Sequence, residues 1–143
     1  MPSWVTRIAL AVIAVGPVGY ASSFVSLGPS ERLVARQAAE RLGTREVFAL
    51  PVDAERSADQ YPGSAGILRS AGLTVRECMA TDDASFDCFP WIGVSPAEVK
   101  YPFVIEVRWG LVGAPLSGHG TRSRFVAIFG ALFHWADYGG WVT

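Results

Sequence analysis

No charged residue occurs between Ile8 and Ser30, and this run constrains the chain more than any other feature. Core helices of soluble domains normally keep a polar stripe for solvent, so an uncharged run points to a bilayer or a translocon as its surroundings. Arg7 and the free amine make a short positive start, and Ile8 to Val15 make a compact apolar centre. Gly16-Pro17 is expected to break the helix. Gly19 and Ala21 then put small residues before a possible cut after Ala21, completing the three-part pattern of a secretory signal.

A competing reading takes Ile8 to Leu27 as an uncleaved anchor, 20 residues long and just sufficient to cross hydrocarbon. Its second half, with Gly16, Pro17, Gly19, Ser22, Ser23 and Ser26, is only weakly hydrophobic. A third reading is a buried helix of a cytosolic domain. As an anchor the segment would leave Arg7 cytoplasmic, although Arg32 and Arg36 beyond it oppose that orientation. Residues 1–27 are therefore expected to be a signal peptide or membrane anchor, with residues 30–143 forming a single small domain outside the cytoplasm.

Charge and composition exclude several function classes. The 12 basic and 13 acidic side chains are spread along the chain and nearly cancel. Binding nucleic acid needs clustered cations to displace counterions from phosphates, and no such stripe exists. The chain contains no Asn, which excludes N-glycosylation. Eleven of the 12 basic residues are Arg, a bias of GC-rich genomes that suggests a bacterial source.

Ser30 is placed to N-cap a helix running to Arg41 or Leu42, with Gly43 just past its end. Leu33, Val34, Gln37, Ala38, Arg41 and Leu42 form its modest apolar side. Glu46 to Leu50 reads as a strand. Residues 53–72 read as a loop with one helical turn near Ala65 to Ser70. Leu73 to Ala80 and Phe86 to Trp91 are expected to pair antiparallel about the turn Thr81 to Ser85. That register sets Cys78 opposite Cys88, close enough for a disulfide in an oxidising compartment.

The C-terminal third shows alternation. Tyr101, Phe103, Ile105, Val107, Trp109 and Leu111 recur at every second residue, the period of a strand with one buried face. Gly113 to Ser123 is expected to be a long loop, and Arg124 to Trp135 the returning strand, with Trp109 facing Ala127 and Phe103 facing Phe133. The expected fold class is α+β: one helix on an antiparallel sheet of four or five strands that ends in a long hairpin.

Candidate chemistry is sparse. Gly93-Val94-Ser95-Pro96-Ala97 is superficially like a nucleophile elbow, but Pro96 has no N–H for an oxyanion hole. Ser95-Pro96-Ala97-Glu98 suits a helix N-terminus better. His119 and His134, with Cys78 and Cys88, match no zinc spacing. Asp82, Asp83 and Asp87 lack the ligand alternation of a calcium loop. Glu106 and Arg108 share a strand face and are placed to pair. No catalytic residue, cofactor or metal site is expected.

Three readings of function follow. The first is a small non-enzymatic binding or assembly component of the cell envelope, with Trp141 offered to a protein partner or docked on its own domain. The second is a small-molecule binder or enzyme whose pocket, between helix and sheet, has His119, Arg122 and Arg124 at its mouth. The third is an accessory subunit of an integral membrane complex.

Overall fold

A computed structural model describes residues 3–49, 63–77, 88–114 and 117–142. Its first element, α1 (Ser3–Val25), is long and apolar enough to cross a membrane, and it runs straight through Pro17. The expected break at Gly16-Pro17 is thus corrected. A mid-helix proline removes one backbone donor, which an apolar helix tolerates when neighbouring groups adjust.

After one irregular residue the chain continues as α2 (Leu27–Leu42). Pro29 accounts for the irregularity, because it has no N–H to offer the carbonyl of Val25. The Ser30 amide still bonds the Ser26 carbonyl at 3.0 Å, so the two helices form nearly one rod. Ser30 lies inside α2 rather than at its cap, and its hydroxyl donates to the Leu27 carbonyl. Gly43 closes the helix as expected, in the left-handed conformation with φ 70°.

The buried face of the rod follows helical spacing through Gly19, Ser22, Ser23, Ser26 and Ser30 to Val34, Ala35, Ala38 and Ala39. Its small side chains let the helix lie close on the strands beneath. Compared with the predicted stripe, the face is rotated towards Ala35 and Ala39, leaving Gln37 and Arg41 at the edge.

The strands among the described residues form one mixed sheet. They are β1 (Glu46–Ala49), β2 (Thr74–Glu77), β3 (Trp91–Val94), β4 (Glu98–Tyr101), β5 (Val104–Ala114), β6 (Ser117–Ile128) and β7 (Ala131–Val142). Their order is β2-β1-β3-β5-β6-β7, with β4 alongside β5. The class is α+β as expected, but the sheet has seven strands and is not purely antiparallel.

Two pairings differ from the sequence reading. β2 runs parallel to β1, with Val47 opposite Val75, and among the described residues it has no antiparallel partner; residues 78–87 of the expected hairpin lie outside them. A short helix, α3 (Ser64–Ser70), provides part of the crossover that parallel neighbours require. Trp91 to Val94 pairs instead with β1 and β5. The Ser95 to Glu98 segment starts no helix; it links β3 to β4, and the Ser95 hydroxyl donates to the Arg108 carbonyl.

Residues 117–123, read as loop, are strand: Trp109 faces Thr121 and Ile105 faces Phe125. The apolar run read as one strand from Arg124 to Trp135 is split by a two-residue turn at Phe129-Gly130. Both turn residues have positive φ, 44° and 90°, the pattern whose twist suits a tight hairpin. Glycine-rich 117–123 pairs well because its backbone is framed by β5 and β7 on either side.

α2 and α3 pack on the same sheet. Val34, Ala38, Leu68, Val47, Ile92, Val94, Ile105, Val107, Trp109, Phe125 and Ala127 make the core between them. Ser64 on α3 covers a sheet edge, donating to the Ile92 carbonyl and accepting from the Val94 amide. The other face of β5 and β6 carries Glu106, Arg108, Arg122 and Arg124.

Candidate functional site

Among the described residues, two arrangements combine polar chemistry with geometry fixed by several elements. The first is the junction between the apolar helix and the sheet. Gly19 is buried against the β4–β5 turn, where an added Cβ would lie 2.6 Å from the Pro102 Cβ and 2.8 Å from the Phe103 ring. Only glycine permits that approach. The Gly19 carbonyl accepts the Phe103 amide at 3.1 Å, and the Phe103 carbonyl accepts the Ala127 amide at 2.7 Å. These bonds hold Phe103 at a positive φ of 65°, a sparsely populated conformation for a bulky residue.

One turn further along, the Ser22 hydroxyl donates to the Ala127 carbonyl at 2.8 Å and accepts the Phe129 amide at 2.7 Å. A single side chain thereby fastens the β6–β7 turn to the helix. Ser23 and Ser26 donate back to carbonyls one turn earlier in the rod, so their buried hydroxyls are satisfied.

The second arrangement is a cleft of about 450 Å³ between α2 and β5–β7. Arg41 from α2 stacks its guanidinium 5.0 Å from the centre of the Trp109 ring. The Trp109 Nε1–H donates to the Ser123 Oγ at 2.8 Å, and Ser123 donates to the Asp137 Oδ1 at 2.6 Å. His134 Nε2 lies 2.9 Å from the same carboxylate oxygen. Burial alone would raise the pKa of Asp137, but hydrogen bonds from Ser123 and His134, with the charges of His134 and Arg41, hold it below the usual carboxylate range.

Ser, His and Asp side chains meet here in the wrong order for nucleophilic catalysis. In a triad the imidazole stands between hydroxyl and carboxylate and removes the hydroxyl proton. In this cleft the carboxylate is central, and the serine proton already points at it. The Ser123 oxygen accepts from Trp109 and its proton goes to Asp137, so His134 makes no hydrogen bond to the hydroxyl as a triad imidazole would. The network places a hydrogen-bonded carboxylate and a stacked guanidinium beside a half-exposed imidazole.

Strand alternation separates the residues expected at one pocket mouth. His119 lies on the helix-facing side, edge-on to Trp109 with ring centres 5.2 Å apart. Arg122 and Arg124 project from the opposite face. The three do not share a mouth, and this expectation is corrected. Arg124 binds Glu106 at 2.8 Å and stacks between the Tyr138 and Tyr101 rings, at 4.5 Å and 6.0 Å. Hydrogen bonding to Glu106 raises its pKa further, against the opposing effect of burial. Glu106 thus pairs across strands with Arg124, and with Lys100 at 3.8 Å, rather than with Arg108 two residues along.

Comparison with protein-family models, with curated proteins and with solved structures gave no match. The site is therefore read from its own geometry.

Cys78 lies outside the described residues, and with it the expected Cys78–Cys88 pairing; Asp82, Asp83 and Asp87 lie outside them as well. Trp141 belongs to β7, with its backbone opposite Gly120. Its side chain is outside what is described. Among the described residues no group of three His, Cys, Asp or Glu side chains is arranged to hold a metal ion. Sequence reasoning missed Ser22, whose role depends on contacts more than 100 residues away, and Asp137, whose bonds to Ser123 and His134 form only once β6 and β7 are paired. The one available signal was the helical spacing of Gly19, Ser22, Ser23 and Ser26.

Proposed function

We propose that the first helix is a retained membrane anchor built into the domain, and that the protein is a non-enzymatic binding or assembly component at the outer surface of that membrane. The burial of Ser22 carries this reading. Cutting after Ala21 would sever the helix between Gly19 and Ser22, the two residues that hold the β4–β5 and β6–β7 turns. A leader made to be discarded gains nothing from such contacts.

The arrangement of apolar surface supports the same reading. Trp4, Ile8, Leu10, Val12, Ile13, Val15 and Val18 all stand exposed on the part of α1 that projects from the domain. So many large apolar side chains on one rod call for lipid around them. With Arg7 on the cytoplasmic side, the domain stands outside, where Cys78 and Cys88 would be oxidised. The partner surface we assign is the cleft of Arg41, Trp109, Ser123, His134 and Asp137, which suits a polar segment of another envelope component.

The deciding experiment is intact mass and N-terminal sequencing of the protein from native membranes. Residues before Ser22 should be retained in carbonate-washed membranes. A mature chain starting at Ser22 in the soluble fraction would end the proposal.

A further inference from the structure

We infer that the tips of the β4–β5 and β6–β7 hairpins are immersed in the outer edge of the bilayer, so that the domain is partly embedded rather than held clear on a stalk. This rests on reading α1 as a membrane anchor, and three independent observations carry it.

Length comes first. A helix rises about 1.5 Å per residue and must cover about 30 Å of hydrocarbon, roughly 20 residues. Arg7 marks the near boundary, with Trp4 one turn beyond it as an interfacial aromatic. From Ile8, 20 residues end at Leu27. The hairpin tips, however, meet the helix at Gly19 and Ser22, short of that limit. Eight and five residues of helix correspond to about 12 Å and about 7.5 Å of depth. Only Ile8 to Val18 projects freely, about 17 Å, too short to cross the hydrocarbon without the docked segment.

Composition agrees. The tips read Tyr101-Pro102-Phe103 and Ile128-Phe129-Gly130-Ala131, without a charge. Phe129 is 70% exposed, and Tyr101, Ile128 and Phe133 are about half exposed. Moving up the open face of β5–β7, the row after Ile128 is Val104, Val126 and Phe133; the next holds Glu106 and Arg124, and the next Arg108, Arg122 and Tyr138. Apolar side chains thus give way to charged ones with distance from the tips, as across the boundary between hydrocarbon and headgroups.

Backbone satisfaction agrees too. Peptide groups in lipid find no water and need internal partners. At these turns the amides of Phe103, Ala127 and Phe129 and the carbonyl of Ala127 are bonded to Gly19, Phe103 or Ser22. A turn facing water would not need this arrangement.

The test uses the full-length protein in phosphatidylcholine nanodiscs carrying a nitroxide near the top of the lipid acyl chain, read by amide NMR. Signals of Phe103, Phe129 and Gly130 should lose most of their intensity together with Val15, whereas Gly43 and Gly72 should keep theirs. If Val15 is broadened and the tips are not, the anchor stands and immersion is refuted. If neither is broadened, the anchor reading has failed as well. Tips that stay sharp while the protein dimerises would show that a second copy covers them, which also overturns the inference.

Discussion

Replacing Ser22 by Ala tests whether the helix and the domain are one structure. The hydroxyl is fully buried and makes two bonds, donating to the Ala127 carbonyl and accepting from the Phe129 amide. Each such bond contributes about 1 kcal/mol net, and a donor left unpaired away from water costs about 1–3 kcal/mol. The methyl of Ala nearly fills the space, so the cavity contribution is small and the loss should be about 2–3 kcal/mol. For a chain of this size that lowers Tm by roughly 6–12 °C. The assay is thermal unfolding of the full-length protein in detergent, followed by near-ultraviolet circular dichroism from the tryptophans. Val12→Ala, on the projecting part of α1, should leave the transition in place. A Ser22→Ala variant within about 0.5 kcal/mol of the parent, the range of neutral surface changes, would refute the docking of α1 on the β6–β7 turn.

Four further outcomes are expected. Gly19→Val should cost about 1–3 kcal/mol by overpacking against Pro102 and Phe103 and should shift the Phe129 amide resonance; a neutral effect would deny the close approach. Phe125→Ala, fully buried, should cost about 3–5 kcal/mol in the same melt, whereas Phe129→Ala at the exposed tip should cost far less. Asp137 has a depressed pKa when folded, so its contribution is present above the ordinary carboxylate pKa and is lost as pH falls through the lower folded value. Half of that carboxylate is exposed, which keeps the effect below about 1 kcal/mol; Asp137→Asn should flatten this acid limb of the stability profile, and an unchanged limb would contradict the network. Finally, Cys78 and Cys88 in material from the native host should resist alkylation until reduced, read by intact mass; labelling of both without reductant would place the domain in a reducing compartment.

How far the fold could be read in advance depended on the range of the interaction involved. The cap at Gly43, the short helix around Ala65 to Ser70 and the alternation of Ile105, Val107 and Trp109 are set within a few residues, and the structure keeps all three. Strand partners are another matter. The alternation of β6 and β7 fits several registers, and the turn that selects one rests on a lone Gly130 inside an apolar run. The parallel pairing of β1 and β2 had no local mark, because it is decided by what α3 and α2 can cover together. The cleft was invisible for the same reason: Trp109, Ser123 and Asp137 meet only after three strands are in register.

From its sequence alone, this protein is a chain with one uncharged, apolar segment of membrane-crossing length ahead of an α+β domain. That much follows from the absence of charge and from the two local periods, which no later packing can alter. Tertiary structure decided that the end of the segment, from Gly19 on, packs on the domain. Whether a serine in such a helix faces lipid, solvent or a distant backbone turn depends on where the rest of the chain puts that turn. Here Ser22 meets Ala127 and Phe129, and the helix and the sheet become one body.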